Sequence, residues 1–494
     1  MTENTVSSQS QPAPAPRRGV PLWALIVIVL VAAGITFAIT AIIMNISDRK
    51  AEGTTASYRE VVALTATTYD PAVWGQNFPM QYDGWKATAD FTATNHNQAL
   101  VEHTPSETDP RTQTTASKLE EDPRLVTMWK GYAFAVDYRH LRGHAYMQED
   151  QKYTLRVQPP RQQPGACLNC HVSTPEVYAK LGNGDQMAGF DAMNKLPYAE
   201  AAALATGPVG CIDCHDPETM ELRITRPALI NGLKALKASQ GIADYDVNRD
   251  ASTQEMRSYV CAQCHVEYYF AGDGKTLTFP WAKGTDIDDV WEYYGEIGFT
   301  DFTNELSGAK VVKAQHPEFE SWSAGVHAAN GVTCADCHMN YERVGSQKVS
   351  NHDVTTPMAD INGTCGTCHT ASEQVLKDEV TTIQNRFTVT RDRALDALTQ
   401  LITAIQTAQT DGTPAAQIEA AQKYQNMASF YVDYGYSENS YGFHAPDYFQ
   451  RLFTESLDAS RKGQLVLLGV PEDQLAVSDV AQNHLDQAKE SGLK

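Results

Sequence analysis

Cys167-Leu168-Asn169-Cys170-His171 is the first of five copies of one short pattern. The others are Cys211-Ile212-Asp213-Cys214-His215, Cys261-Ala262-Gln263-Cys264-His265, Cys334-Ala335-Asp336-Cys337-His338 and Cys365-Gly366-Thr367-Cys368-His369. Two thiols two residues apart can each form a thioether to one vinyl group of a heme, and the histidine that follows can ligate its iron. The five copies use all 10 cysteines of the chain. Disulfides or zinc pairs would not require a histidine after every second cysteine. The pattern predicts a multiheme cytochrome c carrying five c-type hemes. The first cysteines are 44, 50, 73 and 31 residues apart, too irregular for a solenoid of identical units.

At 494 residues and 42% hydrophobic content the chain can bury a substantial core, and covalent hemes would become part of it. The formal net charge of −21 argues against nucleic acid and gives no basic face for an anionic membrane. An anionic substrate would have to be attracted by local cations. No thiol is left for a disulfide, so the compartment is read from heme attachment, which takes place outside the cytoplasmic membrane, and from the N-terminus.

Residues 1–19 are polar and Pro/Ser-rich, ending near Arg17-Arg18, and are expected to be a disordered cytoplasmic tail. Val20 to Met44 follows with 25 residues and no charge. At ~1.5 Å per residue this reaches roughly 37 Å, more than the ~30 Å hydrocarbon core. A cleaved signal peptide would have a shorter apolar region and a small-residue cleavage site. Residues 20–44 are therefore expected to be a single-pass transmembrane signal anchor, with the body on the extracytoplasmic side of the cell membrane. Residues 45–60 are expected to be a polar linker, 61–370 a pentaheme region and 371–494 a helical region.

Between Tyr69 and Lys152 the chain is aromatic-rich and lacks cysteine; Pro-bounded stretches such as Asn77-Phe78-Pro79-Met80-Gln81-Tyr82 suggest irregular structure over hemes. Beyond His369, Thr370-x-x-Glu373 has capping-box spacing. Leu376, Val380, Ile383, Phe387, Leu395, Leu398, Ile402 and Ile405 then predict a long amphipathic helix. A break at Asp411-Gly412-Thr413-Pro414 separates it from a second helix to about Tyr434, and a third is expected from Pro446. The apolar stripes fit either packing on the heme body or a partner subunit. The fold class is mainly α-helical, with few strands.

Of 14 histidines, five belong to the motifs. The others are His96, His103, His140, His144, His316, His327, His352, His444 and His484. A heme used only for electron transfer needs a sixth ligand, most often His or Met. Five bis-His hemes would leave no open iron, and four would leave one. The count alone allows both.

Several stretches around the motifs resemble the pentaheme ammonia-forming cytochrome c nitrite reductases, over roughly residues 58–460. They are Asn77-Phe78-Pro79-Met80-Gln81-Tyr82, Arg142-Gly143-His144-Ala145-Tyr146, Thr154-Leu155-Arg156 and Ile224-Thr225-Arg226-Pro227. The most specific are Cys264-His265-Val266-Glu267-Tyr268-Tyr269-Phe270, Lys313-Ala314-Gln315-His316-Pro317 and Gly442-Phe443-His444. The resemblance implies six-electron reduction of nitrite to ammonium at the first heme, with Arg156, Tyr268 and His316 converging on its open face. It implies four bis-His hemes with His144, His327, His352 and His444 as distal donors, not yet assigned to particular hemes. It also implies a Ca²⁺ site from the side chains of Glu267 and Gln315 and the carbonyls of Tyr268 and Lys313. A homodimer through the C-terminal helices is expected, with a membrane-bound quinol-oxidising multiheme cytochrome as electron donor. The residue types suit the chemistry: Arg156 can grip an anion with two hydrogen bonds, and His316 can carry a proton. The chain departs from most of the family in one respect, since His171 stands where Lys is usual after the first motif. An electron carrier with all irons six-coordinate, or a hydroxylamine or sulfite reductase on the same scaffold, are the competing expectations.

Overall fold

A computed structural model describes residues 21–55, 60–96, 100–161, 163–345, 347–478, 483–484 and 487. The expected tail of residues 1–19 lies outside them. The fold is mostly helical, 54% helix and 7% strand. It divides into two units, one of residues 1–59 and 343–348 and one of residues 60–342 and 349–494.

In the first unit, helix α1 (Leu22–Thr55) is one continuous element. Its Leu22–Met44 portion has a mean hydropathy of 2.9 and none of it is buried. It is long enough to cross a bilayer or to serve as a signal sequence. The helix also runs through the first part of the stretch expected as a polar linker.

The second unit opens on two short helices, Pro71–Asn77 and Pro79–Ala87. The Asn77–Tyr82 stretch, expected to be irregular, is the junction between them. Each has a proline in its first turn, where the fixed φ suits the helix and the missing N–H costs nothing. Asn77 ties this junction to the incoming chain, accepting from Val61 N and Val62 N and donating to Val62 O at 2.8–3.0 Å.

Helices α2 (Pro227–Ser239), α3 (Thr253–Ala262) and α4 (Ile287–Glu296) then frame the middle of the chain. Two short antiparallel pairs sit among them: β1 (Tyr269–Ala271) with β2 (Thr276–Thr278), and β3 (Phe302–Thr303) with β4 (Lys310–Val311). These pairs matter because β1 begins one residue after Tyr268 and β4 ends two residues before Lys313. The first apolar core gathers Leu168, Val172, Tyr178, Leu229, Leu233, Tyr259 and Trp281 around the first and third motifs, while Ile212 of the second packs with Leu64 and Trp74.

Three long helices close the chain: α5 (Glu373–Ala408), α6 (Ala415–Ser437) and α7 (Pro446–Leu467). Their positions follow the predicted stripe. Val380, Phe387, Leu395, Leu398, Ile402 and Ile405 are buried, against α6, α7 and the Leu125–Trp129 segment. The N-cap of α5 is not Thr370. Ser372 caps it, its hydroxyl accepting from Val375 N, because the helix starts at Glu373 rather than three residues earlier. The stripe therefore packs within the chain, while Val375 and Val389 stay exposed on the same helix.

Candidate functional site

The motifs are tied to one another by side chains at the position before the second cysteine. Asp213 of the second motif closes its own turn by accepting from Gly210 N at 2.9 Å, and its other oxygen takes Arg226 Nη1 at 2.8 Å. Arg226 also donates from Nε to Asn169 O of the first motif at 2.7 Å and from Nη2 to Val172 O at 2.9 Å. Gln263 of the third motif accepts from Arg226 N at 3.1 Å and donates to Asp213 O at 3.2 Å. The fully buried Arg226–Asp213 pair thus joins three motifs and has its charge and lone pairs satisfied. The fourth motif repeats the device: Asp336 caps its turn with Thr333 and takes Arg257 Nη2, on α3, at 2.5 Å. Nothing in the sequence reading singled these side chains out. Their signal is an acidic residue before the second cysteine, at the spacing that lets it return to its own helix start.

The histidines fall into pairs. His265 faces His144 with ring centroids 6.2 Å apart, His215 faces His352 at 6.2 Å, and His369 faces His327 at 6.3 Å. Two imidazoles on opposite sides of one metal, each bound through ~2 Å with a further ~1.1 Å to the ring centre, stand roughly 6.2 Å apart. The spacing fits an iron between each pair. His444 acts by charge on Cys334 and His338 of the fourth motif and also on His327. The remaining histidines are engaged elsewhere: His96 stacks on Tyr441 at 4.0 Å, His140 meets Glu121 at 2.6 Å and His103 meets Asp109 at 3.2 Å, while His484 is exposed. Two glycines make room for these donors. A Cβ on Gly143, before His144, would stand 1.8 Å from Thr88 O, and Gly442, before His444, adopts φ +82° against the Phe387 ring.

The first motif has different company. The Arg156 guanidinium and the His316 ring both act by charge on His171, and Arg156 also acts on Cys167. Tyr268 interacts with Cys170 and Cys167. Arg156, His316 and Tyr268 are thus all within electrostatic reach of the first motif. Arg156 is held from behind. Its Nη1 donates to Asp137 O at 2.8 Å, its guanidinium lies 4.5 Å over the Phe134 ring, and the Asp137 carboxylate accepts from Thr154 Oγ1 and Leu155 N at 2.9 Å. His316 follows a backbone contact, its N donating to Val266 O at 3.3 Å. Burial pushes its imidazole down to about 4; Glu318 pulls the other way, and His265, Lys313 and Arg156 add to the fall. Burial likewise drives the Tyr268 phenol well up, so it stays protonated.

Beside it lies a buried oxygen-rich cluster. Glu267 is fully buried; Oε2 accepts from Gln315 N at 2.6 Å and Oε1 from Tyr294 OH at 2.9 Å. Gln315 Nε2 donates to Lys313 O at 3.2 Å. Burial raises the Glu267 carboxyl well above its ordinary range, and the nearby Glu320 and Asp301 raise it further. The nearest cation, Lys313 Nζ, turns away to Ser437 Oγ at 2.9 Å and Asp433 Oδ1 at 3.3 Å, above the Trp129 and Phe134 rings. Glu267 is thus a buried carboxylate without a bonded cation among the described residues. This suits a hard cation bound through oxygen.

The fold, its five motifs and three facing histidine pairs define a multiheme cytochrome c. Residues 70–491 match the cytochrome c552 family model. The chain is 36% identical to cytochrome c-552 of Parabacteroides distasonis over 480 residues, covering 93% of this chain and 91% of that one. It is 34% identical to cytochrome c-552 of Haemophilus influenzae, over 78% of this chain and 71% of that one. The chain belongs to the cytochrome c552 family. Among solved structures, it resembles the catalytic subunit of cytochrome c nitrite reductase from Desulfovibrio desulfuricans, described with two calcium sites. The TM-score is 0.71 at 28% identity, covering 84% of this chain and 90% of that one.

Proposed function

We propose that the chain reduces nitrite to ammonium, taking six electrons and releasing two waters, beside the first motif. The observation that carries this reading is the contrast in what faces the motif histidines. Three have a histidine opposite, whereas His171 lies among an arginine, a phenol and a histidine. The five hemes would be held by the ten motif cysteines, with His144, His352, His327 and His444 as distal donors to the third, second, fifth and fourth. Heme supplies electrons and, at the first motif, a place for the substrate nitrogen.

The protein side chains do the rest. Arg156 supplies a fixed cation in an otherwise acidic chain, held by Asp137 O and the Phe134 face, so that it meets an anion without reorganising. His316, mainly neutral in the buried site, gains a proton more readily once an anion is beside it and can deliver that proton to a departing oxygen. Tyr268 remains a neutral hydrogen-bond donor. The Glu267–Gln315 cluster would hold Ca²⁺ with the carbonyls of Tyr268 and Lys313. Since those segments also carry Tyr268 and His316, one ion would fix both.

In the same reading α1 anchors the body outside the cell membrane, and a membrane-bound quinol-oxidising multiheme cytochrome supplies electrons. Two copies pair through the C-terminal helices, where Val375 and Val389 remain exposed. Anaerobic turnover with a reduced viologen tests the activity. Ammonium formed in step with nitrite consumed supports it, and no nitrite consumption by protein with five reducible hemes refutes it.

A further inference from the structure

We propose that Glu438 is a positioning residue that makes the fourth-motif heme more reducing by polarising its distal ligand, His444. This rests on the assignment of His444 as that ligand. Glu438 stands at the C-terminal end of α6 and is 2% exposed. One carboxylate oxygen, Oε2, is occupied by Ser440, which donates from N at 3.0 Å and from Oγ at 2.8 Å. The other, Oε1, stands 2.6 Å from His444 Nδ1. Neither of those two buried atoms has another hydrogen-bond partner among the described residues. Ser440 Oγ also accepts from His444 N at 3.0 Å, so one serine fixes both the carboxylate and the histidine backbone.

The other axial histidines are treated differently. His215 Nδ1 meets Met220 O, His338 Nδ1 meets Thr355 O and His352 Nδ1 meets Ser350 O, each at 2.9 Å. These are neutral carbonyls. His265 Nδ1 has a carboxylate, Glu318, but at 3.7 Å. An anionic acceptor on the far nitrogen makes the ligating nitrogen a stronger donor than a carbonyl does. A stronger donor favours ferric over ferrous iron, which lowers the reduction potential. The direct carboxylate contact thus separates the fourth-motif heme from its neighbours. Its place in the set makes this useful: Cys337 interacts with Cys365 and Cys368 of the fifth motif, and Cys334 with Cys261 of the third. Electrons crossing between the exposed fifth motif and the buried interior would pass this station.

The test is spectropotentiometry of the purified holoprotein, following the four low-spin hemes and the high-spin heme by their separate signals. In Glu438→Gln, which keeps shape and removes charge, one low-spin heme should shift to a more positive potential while the other four keep theirs. Glu438→Asp, which keeps the charge on a shorter stem, should shift that heme less. Unchanged potentials in Glu438→Gln, or an equal shift in both variants, would overturn the proposal. His444→Ala separates the two assumptions. A new high-spin heme confirms the ligand, and its absence means that the ligand assignment, rather than the tuning, has failed.

Discussion

The surroundings of the first motif and those of the other four differ in what they leave undone. Around His265, His215 and His369, a second imidazole stands 6.2–6.3 Å away, the distance two ligands keep across one metal. Around His171 the fold instead brings an arginine, a histidine and a phenol, groups able to hold an anion or carry a proton. Electron-transfer stations gain from saturation, because a six-coordinate iron changes little between oxidation states. A reacting centre needs an unfilled position and charges aimed at it in advance. In the proposed reading the same five-residue motif would serve both purposes, and the difference would be made by residues outside it.

The contrast breaks most sharply at His316. His316→Asn should lower nitrite turnover by about 10²–10⁴-fold while all five hemes stay attached, measured by viologen assay and pyridine hemochrome. Wild-type turnover would remove it from the chemistry. Arg156→Ala should reduce kcat/KM for nitrite by about 10²–10³-fold. Because its role is to grip an anion, hydroxylamine reduction should suffer less; equal losses on both substrates would count against that role.

The Arg226–Asp213 pair offers a way to sharpen the comparison, since it touches the first motif as well as the second and third. Arg226→Met leaves Asp213 buried and unpaired, which should cost about 3–5 kcal/mol in thermal or denaturant unfolding. It should impair the first three motifs together. A loss confined to one heme would show that Arg226 does not join them.

A smaller effect concerns the cluster behind Tyr268. Removing calcium should weaken turnover and alter the spectrum of the first heme alone, without releasing any heme. Unchanged activity in protein shown free of metal by elemental analysis would exclude the ion from the site. Acidity gives a related and gentler test. Folding raises the carboxyls of Glu267, Asp301 and Glu320 above their ordinary values, Asp301 to about 7 and Glu320 to about 8, chiefly by burial. The folded metal-free protein therefore holds more protons than the unfolded chain, and it should lose stability as pH rises from about 5 towards 8. Calcium should flatten that slope, as read from Tm at each pH. Parallel slopes with and without metal would contradict the cluster's role as its site.

Much of this architecture is legible in the sequence because heme attachment is a local pattern. The five motifs and the long helices can be named from residue type and spacing, whereas the four distal histidines come only from the family resemblance. What the sequence hides are partners that meet only in the fold. Asp137 supports Arg156 from 19 residues away through a main-chain carbonyl, which leaves no side-chain signature. Asp433 holds Lys313 from α6, 120 residues away. Which distal histidine serves which motif is also invisible: His144 precedes every motif yet faces the third, and His352 faces the second across more than one intervening motif. The Thr370 capping box failed for a simpler reason: Ser372, two residues on, caps the true start of the helix as a plain N-cap.

The most direct test of the account is a count of spin states in the oxidised holoprotein by electron paramagnetic resonance at neutral pH, with and without nitrite. The account predicts one high-spin heme beside four low-spin ones, with nitrite altering only the high-spin signal. Five low-spin hemes, indifferent to nitrite, would contradict it and make His316 the sixth ligand of the first.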